Sequence, residues 1–276
     1  MTRLRPGSDR ALDPSPGIGE IVPVASPPRV AAWVAAAPDG PVQVLHACAD
    51  TVHLDVLGRA VGVAAARAPA LPHTLRTNLS ALSPEVSSEA GSTAYVDSGL
   101  LYLDGRALVT HRLVDVRAPR LGAVRMPRTG SAAALGTPRP RGAGLVPFPS
   151  HVDADTVGEL VGRGEGLTPL GDDVLCGWLA THRALGIDTP AVDDAVRRAL
   201  PRTTTLSATL LECALAGEVA DLVGAYLRAL GTSRAGSGDA VTTARAALTT
   251  LGHSSGAGLA HGVDLAAALL TGQVAA

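Results

Sequence analysis

Two adjacent carboxylates, Asp172 and Asp173, close a run rich in glycine: Gly162-Arg163-Gly164-Glu165-Gly166-Leu167-Thr168-Pro169-Leu170-Gly171-Asp172-Asp173. Leu175, Trp178, Leu179 and Leu185 follow at helical spacing. The first turn of a helix leaves backbone N–H groups unpaired and carries partial positive charge. Glycine lets a ligand approach such amides closely. The combination suits a phosphate or a carboxylate. On this reading Gly164, Gly166 and Gly171 hold an anion and Thr168 donates a hydroxyl hydrogen bond. Asp172 and Asp173 orient a substrate amide, move a proton or bind Mg²⁺. The plainer alternative is a helix–helix loop in which Asp172 caps the following helix. A dinucleotide fingerprint is excluded, because no strand signal directly precedes the glycines.

Two further segments repeat the design. Arg202-Thr203-Thr204-Thr205-Leu206-Ser207 opens an apolar helix, and its hydroxyls either cap that helix or contact an oxyanion beside the arginine. Gly252-His253-Ser254-Ser255-Gly256 opens another. There His253 is a candidate acid/base and Ser254 and Ser255 are candidate donors, with a capped turn as the alternative. Arg163 and Arg202 are the cations nearest the motif, and arginine matches carboxylate and phosphate geometry. A weaker constellation, His46-x-Cys48-x-Asp50-x-x-His53, has metal-like spacing but mixes soft and hard ligands, so an ordinary strand is expected there. No metal site is assigned.

The elements that must position these residues change character along the chain. Val42 to His46 and Thr51 to Val56 read as strands, with Arg59 to Ala66 as a further candidate. Asp104-Gly105 between apolar runs predicts a hairpin. Residues 30 to 37 suit one short helix. Later, Val157, Leu160 and Val161, then Val219 through Leu230, then Val241, Ala244, Leu248 and Leu251, fit helical spacing, and a final helix is expected over about 256–270. The fold class is therefore α+β, a β-rich N-terminal half followed by an α-helical half. The expected divisions are a disordered leader over 1–19, a β-rich domain over 20–126, a Pro/Gly-rich linker over 127–150 and a helical domain over 151–276.

Composition narrows the chemistry. The 276 residues are 46% hydrophobic but only 2% aromatic, so the core must be built from Ala, Val and Leu, with close helix packing through small residues. Net charge is −2, which argues against electrostatically driven nucleic-acid binding. The chain has no lysine, which rules out a Schiff-base or P-loop lysine. The three cysteines form no CxxC, and Cys176 and Cys213 read as small core residues. No apolar stretch is long enough to span a bilayer, and a cytoplasmic protein is expected.

The run Gly164-x-Gly166-Leu167-Thr168-Pro169-x-Gly171-Asp172-Asp173-x-Leu175-x-Gly177 closely resembles the signature of the AllH family, which is linked to an oxamate carbamoyltransferase subunit. Thr203-Thr204-x-Leu206-Ser207 and Gly252-His253-Ser254-Ser255-Gly256 resemble two further blocks in the same order. The hairpin at Asp104-Gly105 resembles part of the family's N-terminal half, so the similarity runs from about residue 40. The resemblance implies carbamoyl transfer between carbamoyl phosphate and oxamate, in allantoin degradation and purine catabolism, carried out with other subunits. Both compounds are anions, and preorganised donors at helix starts stabilise negative charge developing on oxygen. Two alternatives stay open: a non-catalytic anion-binding assembly subunit, and an Mg²⁺-dependent phosphate-ester enzyme. No cofactor is expected with certainty.

Overall fold

A computed structural model describes residues 20–82, 94–122, 148–232 and 238–273. In its N-terminal half eight strands close a barrel in the order β1-β5-β4-β3-β2-β6-β7-β8. In chain order the elements are β1 (Ile21–Ser26), helix α1 (Pro28–Ala36), β2 (Gly40–Ala47), β3 (Thr51–Val56), β4 (Arg59–Ala64), β5 (Thr74–Arg76), β6 (Ala94–Asp97), β7 (Leu100–Leu103) and β8 (Arg106–Leu113). Most neighbours are antiparallel, but β1 runs parallel to β8 and β4 runs parallel to β5. The β1–β8 pairing closes the sheet and removes its open edges.

Alternation along β1 shows how the sequence chooses its faces. Val22 and Val24 are buried, whereas Ile21 is 57% exposed. With Leu54, Val61, Leu75 and Leu101 they fill the barrel, and α1 adds Val30 and Val34 to the same core. The expected hairpin is present: Asp104 and Gly105 both have positive φ, 51° and 75°, as the two-residue turn joining β7 to β8 requires. Closure of these strands into a barrel was not expected from the sequence.

The second half is helical: α2 (Val157–Leu160), α3 (Leu170–Ala184), α4 (Pro190–Ala199), α5 (Thr205–Leu215), α6 (Asp221–Thr232), α7 (Gly238–Thr249) and α8 (Ser255–Gln273). Among the described residues no helix is long and apolar enough to cross a membrane. α3 is the central helix, buried along almost its whole length. Its closest neighbour is α8, and glycine sets their approach. A Cβ on Gly177 would stand 2.1 Å from the Leu259 carbonyl oxygen, and one on Gly262 would stand 2.0 Å from that of Val174. The small-residue packing expected from composition is thus realised backbone against backbone. Tyr226 and Arg245 both bind Asp264, tying α6 and α7 to α8.

The halves meet through specific polar contacts. The Ala60 amide donates to Thr209 Oγ1 at 2.8 Å, and Arg59 pairs with Glu212 at 3.0 Å. Arg29 of α1 lies 2.8 Å from Glu218. These bonds hold β4 and α1 against α5 and the turn after it. The leader expected over 1–19 and most of the linker expected over 127–150 lie outside the described residues.

Candidate functional site

The three hydroxyl-rich helix starts converge. Asp172 stands in the first turn of α3, where Pro169 rather than an aspartate occupies the cap position. It is fully buried. Its Oδ1 accepts the Gly162 amide at 2.9 Å, and its Oδ2 accepts the hydroxyls of Thr203 (2.5 Å) and Ser207 (2.7 Å) from the start of α5. Thr204 caps α5 by accepting the Ser207 amide, and donates its own hydroxyl to the Leu167 carbonyl. Thr168, just ahead of α3, lies 2.7 Å from Ser255 at the start of α8, hydroxyl to hydroxyl. One carboxylate and five hydroxyl groups therefore lock the beginnings of α3, α5 and α8 together.

The neighbouring aspartate has a different environment. Asp173 is only 4% exposed, and its Oδ2 has no hydrogen-bond partner. Burial raises its pKa well above the ordinary carboxylate value. The Ser255 hydroxyl beside it opposes the shift, and the charge of Asp172 adds to it. Burial wins, so the two carboxyls take opposite roles. Asp172 is held by three donors, and the Asp173 carboxyl, its pKa raised by burial, keeps an oxygen without a partner.

Asp173 belongs to the wall of a cavity of about 220 Å³ between barrel and helices. Asp173, Thr168, Ser255 and Cys176 line it from the helical side, and His53, Leu71 and Pro72 close it from the barrel side. The walls are largely apolar. His53 is 6% exposed, and burial together with nearby His46 lowers its pKa to about 4. Its Nδ1 lies 3.3 Å from Nε2 of the buried His73, whose pKa is also lowered by burial. The barrel thus presents a neutral imidazole. Glu218, also on the wall, is matched by Arg29.

The other residues singled out in the sequence are arranged differently. Gly164 and Gly166 lie in an exposed loop with positive φ, 123° and 87°. The Gly171 amide donates to the Arg163 carbonyl at 2.8 Å, and a Cβ there would stand 2.0 Å from the Leu160 carbonyl oxygen. Much of the glycine pattern therefore serves close backbone packing. Arg163 stacks over Phe148 at 4.4 Å, and Arg202 donates to the Gly158 carbonyl. Neither arginine is on the cavity wall, and neither are His253, which is exposed, or Ser254. Among the described residues no three His, Cys, Asp or Glu side chains are grouped to hold a metal ion.

Sequence reasoning missed the barrel wall. His53 was noticed only for its spacing from His46, and Leu71 and Pro72 carried no signal at all. Strand pairing brings them to the helical half across more than a hundred residues of chain.

The geometry can be set beside known proteins. The family model described as "Oxamate carbamoyltransferase subunit AllH" matches residues 160–267. This stretch begins just before the glycine run and ends inside α8, so it contains all three converging helix starts. No curated protein and no solved structure matches the chain.

Proposed function

With its helical half matched to the AllH family over residues 160–267, we propose that the chain serves as a subunit of a carbamoyltransferase and that its small-molecule site is the cavity beside Asp173. The observation carrying this reading is a buried carboxyl group in the wall of a half-open cavity, with a raised pKa and one oxygen, Oδ2, that has no hydrogen-bond partner. A polar atom so placed costs stability unless something binds it.

The ligand chemistry follows from the donor set. A neutral carboxylic acid offers one O–H donor and one carbonyl acceptor side by side. A carboxamide or carbamoyl group offers the matching pair, C=O and N–H. Asp173 and such a group form two reciprocal hydrogen bonds with no net charge buried. The hydroxyls of Thr168 and Ser255 are placed to satisfy further polar atoms, and the N-termini of α3 and α8 favour a small negative group next to them. Oxamate joins a carboxamide to a carboxylate and fits this description. Asp172 is a positioning residue, because its oxygens are used in holding the three helix starts.

Among the described residues the cavity wall carries no arginine. A phosphate group would find no cation there, so the phosphate-bearing donor binds outside this cavity. This supports a chain that holds the carboxamide partner and works with other subunits, as the family's description as a subunit implies.

Calorimetric titration of the purified chain with oxamate and with carbamoyl phosphate tests the reading. Oxamate is expected to bind the native chain. Asp173→Ala should weaken it at least tenfold, about 1.4 kcal/mol, while Asp173→Asn, which keeps an amide-matching pair, retains most of it. Absence of oxamate binding at millimolar concentration, or unchanged affinity in Asp173→Ala, would refute the assignment. Turnover by the chain alone would refute its dependence on other subunits.

A further inference from the structure

A second and larger recess lies on the outer face of the barrel. It is a cleft of about 800 Å³ between β1, β5, β8 and α6. Its charge distribution is one-sided. Arg76, Arg112, Arg117, Arg228 and His111 line it, against Asp115 and Asp221. Asp115 is consumed by Arg117, which it binds through two contacts at 2.9 and 2.7 Å. The Asp221 carboxylate accepts the Leu222 amide at 2.8 Å. Among the described residues no carboxylate pairs with Arg76, Arg112 or Arg228, and the only side-chain hydrogen bond of Arg76 is a long one, 3.4 Å to the Ala66 carbonyl.

Strand register turns this excess into a geometry. Ala25 of β1 is the partner of Arg76 on β5 and, where the β1–β8 register shifts by one residue after Val24, of Arg112 on β8. Residues directly opposite in neighbouring strands share a face of the sheet, so the three form a row Arg76-Ala25-Arg112. Val24 and Leu75, the preceding residues, point into the barrel core, which puts the row on the outer face. Two interstrand spacings separate the arginine Cα atoms, about 10 Å. Two long guanidinium arms therefore flank a methyl-sized floor. Arg228 of α6 contributes to the same cleft from the helical side.

We infer that this cleft is a binding site for a multiply charged oxyanion, a small molecule with at least two phosphate or carboxylate groups. One group sits over Ala25 between the forks of Arg76 and Arg112, and a second meets Arg228. Guanidinium forks bind such groups through paired hydrogen bonds, and the volume is that of an ordinary small-molecule site. The cleft shares Leu71, Val219 and Ala220 with the wall of the Asp173 cavity, so the two sites are neighbours. The inference does not depend on what the inner cavity binds.

Titration with pyrophosphate and with citrate, followed by calorimetry at two salt concentrations, tests it. At least one of the two should bind, more weakly at high salt. Arg76→Gln combined with Arg112→Gln should reduce affinity at least tenfold, and Asp173→Asn should not change it. Ala25→Asp supplies an internal carboxylate between the forks, so it should abolish binding and raise thermal stability. Should neither probe bind the native chain, or should either bind the double variant as tightly as the native chain, the inference is overturned. Loss of binding in Asp173→Asn alone would also overturn it, by assigning the anion to the inner cavity.

Discussion

Asp173→Asn should stabilise the protein increasingly as pH rises. In an unfolded chain an aspartate titrates near ~3.9. In the folded protein burial holds the Asp173 carboxyl protonated to well above that value, against the opposing Ser255 hydroxyl and with the help of Asp172. Between the two pKa values the folded state carries one more proton than the unfolded state. Stability therefore falls as pH rises through this window, by about 1.4 kcal/mol per pH unit, and the loss stops growing above the folded-state pKa. The Asn side chain is a neutral replacement of the same shape and does not titrate. The variant should match the native chain near pH 4 and become the more stable of the two at higher pH, with the gap widening at that slope. Urea unfolding at fixed ionic strength, from pH 4 to pH 8, measures the difference directly. Parallel stability curves would refute the reasoning. A variant weaker at every pH would also refute it, since Asp173 would then be an ionised group held by its neighbours.

Three other outcomes follow from the same structure. Asp172→Ala strands the Gly162 amide and the Thr203 and Ser207 hydroxyls in the interior. It should cost about 3 kcal/mol or more in urea unfolding, with Asp172→Asn milder. Gly177→Ala forces a Cβ to 2.1 Å from the Leu259 carbonyl oxygen, and separating α3 from α8 should cost about 3 kcal/mol, read as a lowered Tm. His53 titrates in the opposite sense to Asp173, because its folded pKa is depressed to about 4. Its contribution is present above pH ~6.5 and lost as pH falls through the window, about 3 kcal/mol by pH 4. His53→Gln should flatten that acid-side loss in urea unfolding across pH 4 to 7.

Much of the site was legible because its parts are local. Glycines, hydroxyls and twin carboxylates at helix starts are read from spacing alone, and backbone capping chemistry fixes where each helix begins. The strand-rich first half and the hairpin at Asp104-Gly105 were legible for the same reason. Convergence of the starts of α3, α5 and α8 was only a possibility in the sequence, since it depends on side-chain bonds such as Thr203 to Asp172 and Thr168 to Ser255. The unlike environments of Asp172 and Asp173 were not legible at all. Adjacent residues on a helix point about 100° apart, so one met a ring of donors and the other an apolar cavity. Barrel closure was equally hidden. It rests on the parallel pairing of β1 with β8, two segments far apart in the chain, and no local signal marks it. The barrel wall at His53 and Leu71 and the Arg76-Ala25-Arg112 row inherit that invisibility.

Arg163 and Arg202 show the limit of nearness in sequence. Both flank the motif, yet one stacks on Phe148 and the other binds the Gly158 carbonyl. The cations that gather in a cleft come from β5, β8 and α6 instead. Sequence distance says little about where a long, flexible side chain places its charge.

The central claim is that the meeting of three helix starts builds a small-molecule site around the free oxygen of Asp173. A crystal structure of the chain grown with saturating oxamate tests it most directly. Ligand density is expected in the cavity, with a carboxamide within hydrogen-bond distance of the Asp173 carboxyl and a second contact to Thr168 or Ser255. Ligand bound elsewhere with this cavity empty, or Asp173 Oδ2 bonded to a protein group in place of the ligand, would contradict it.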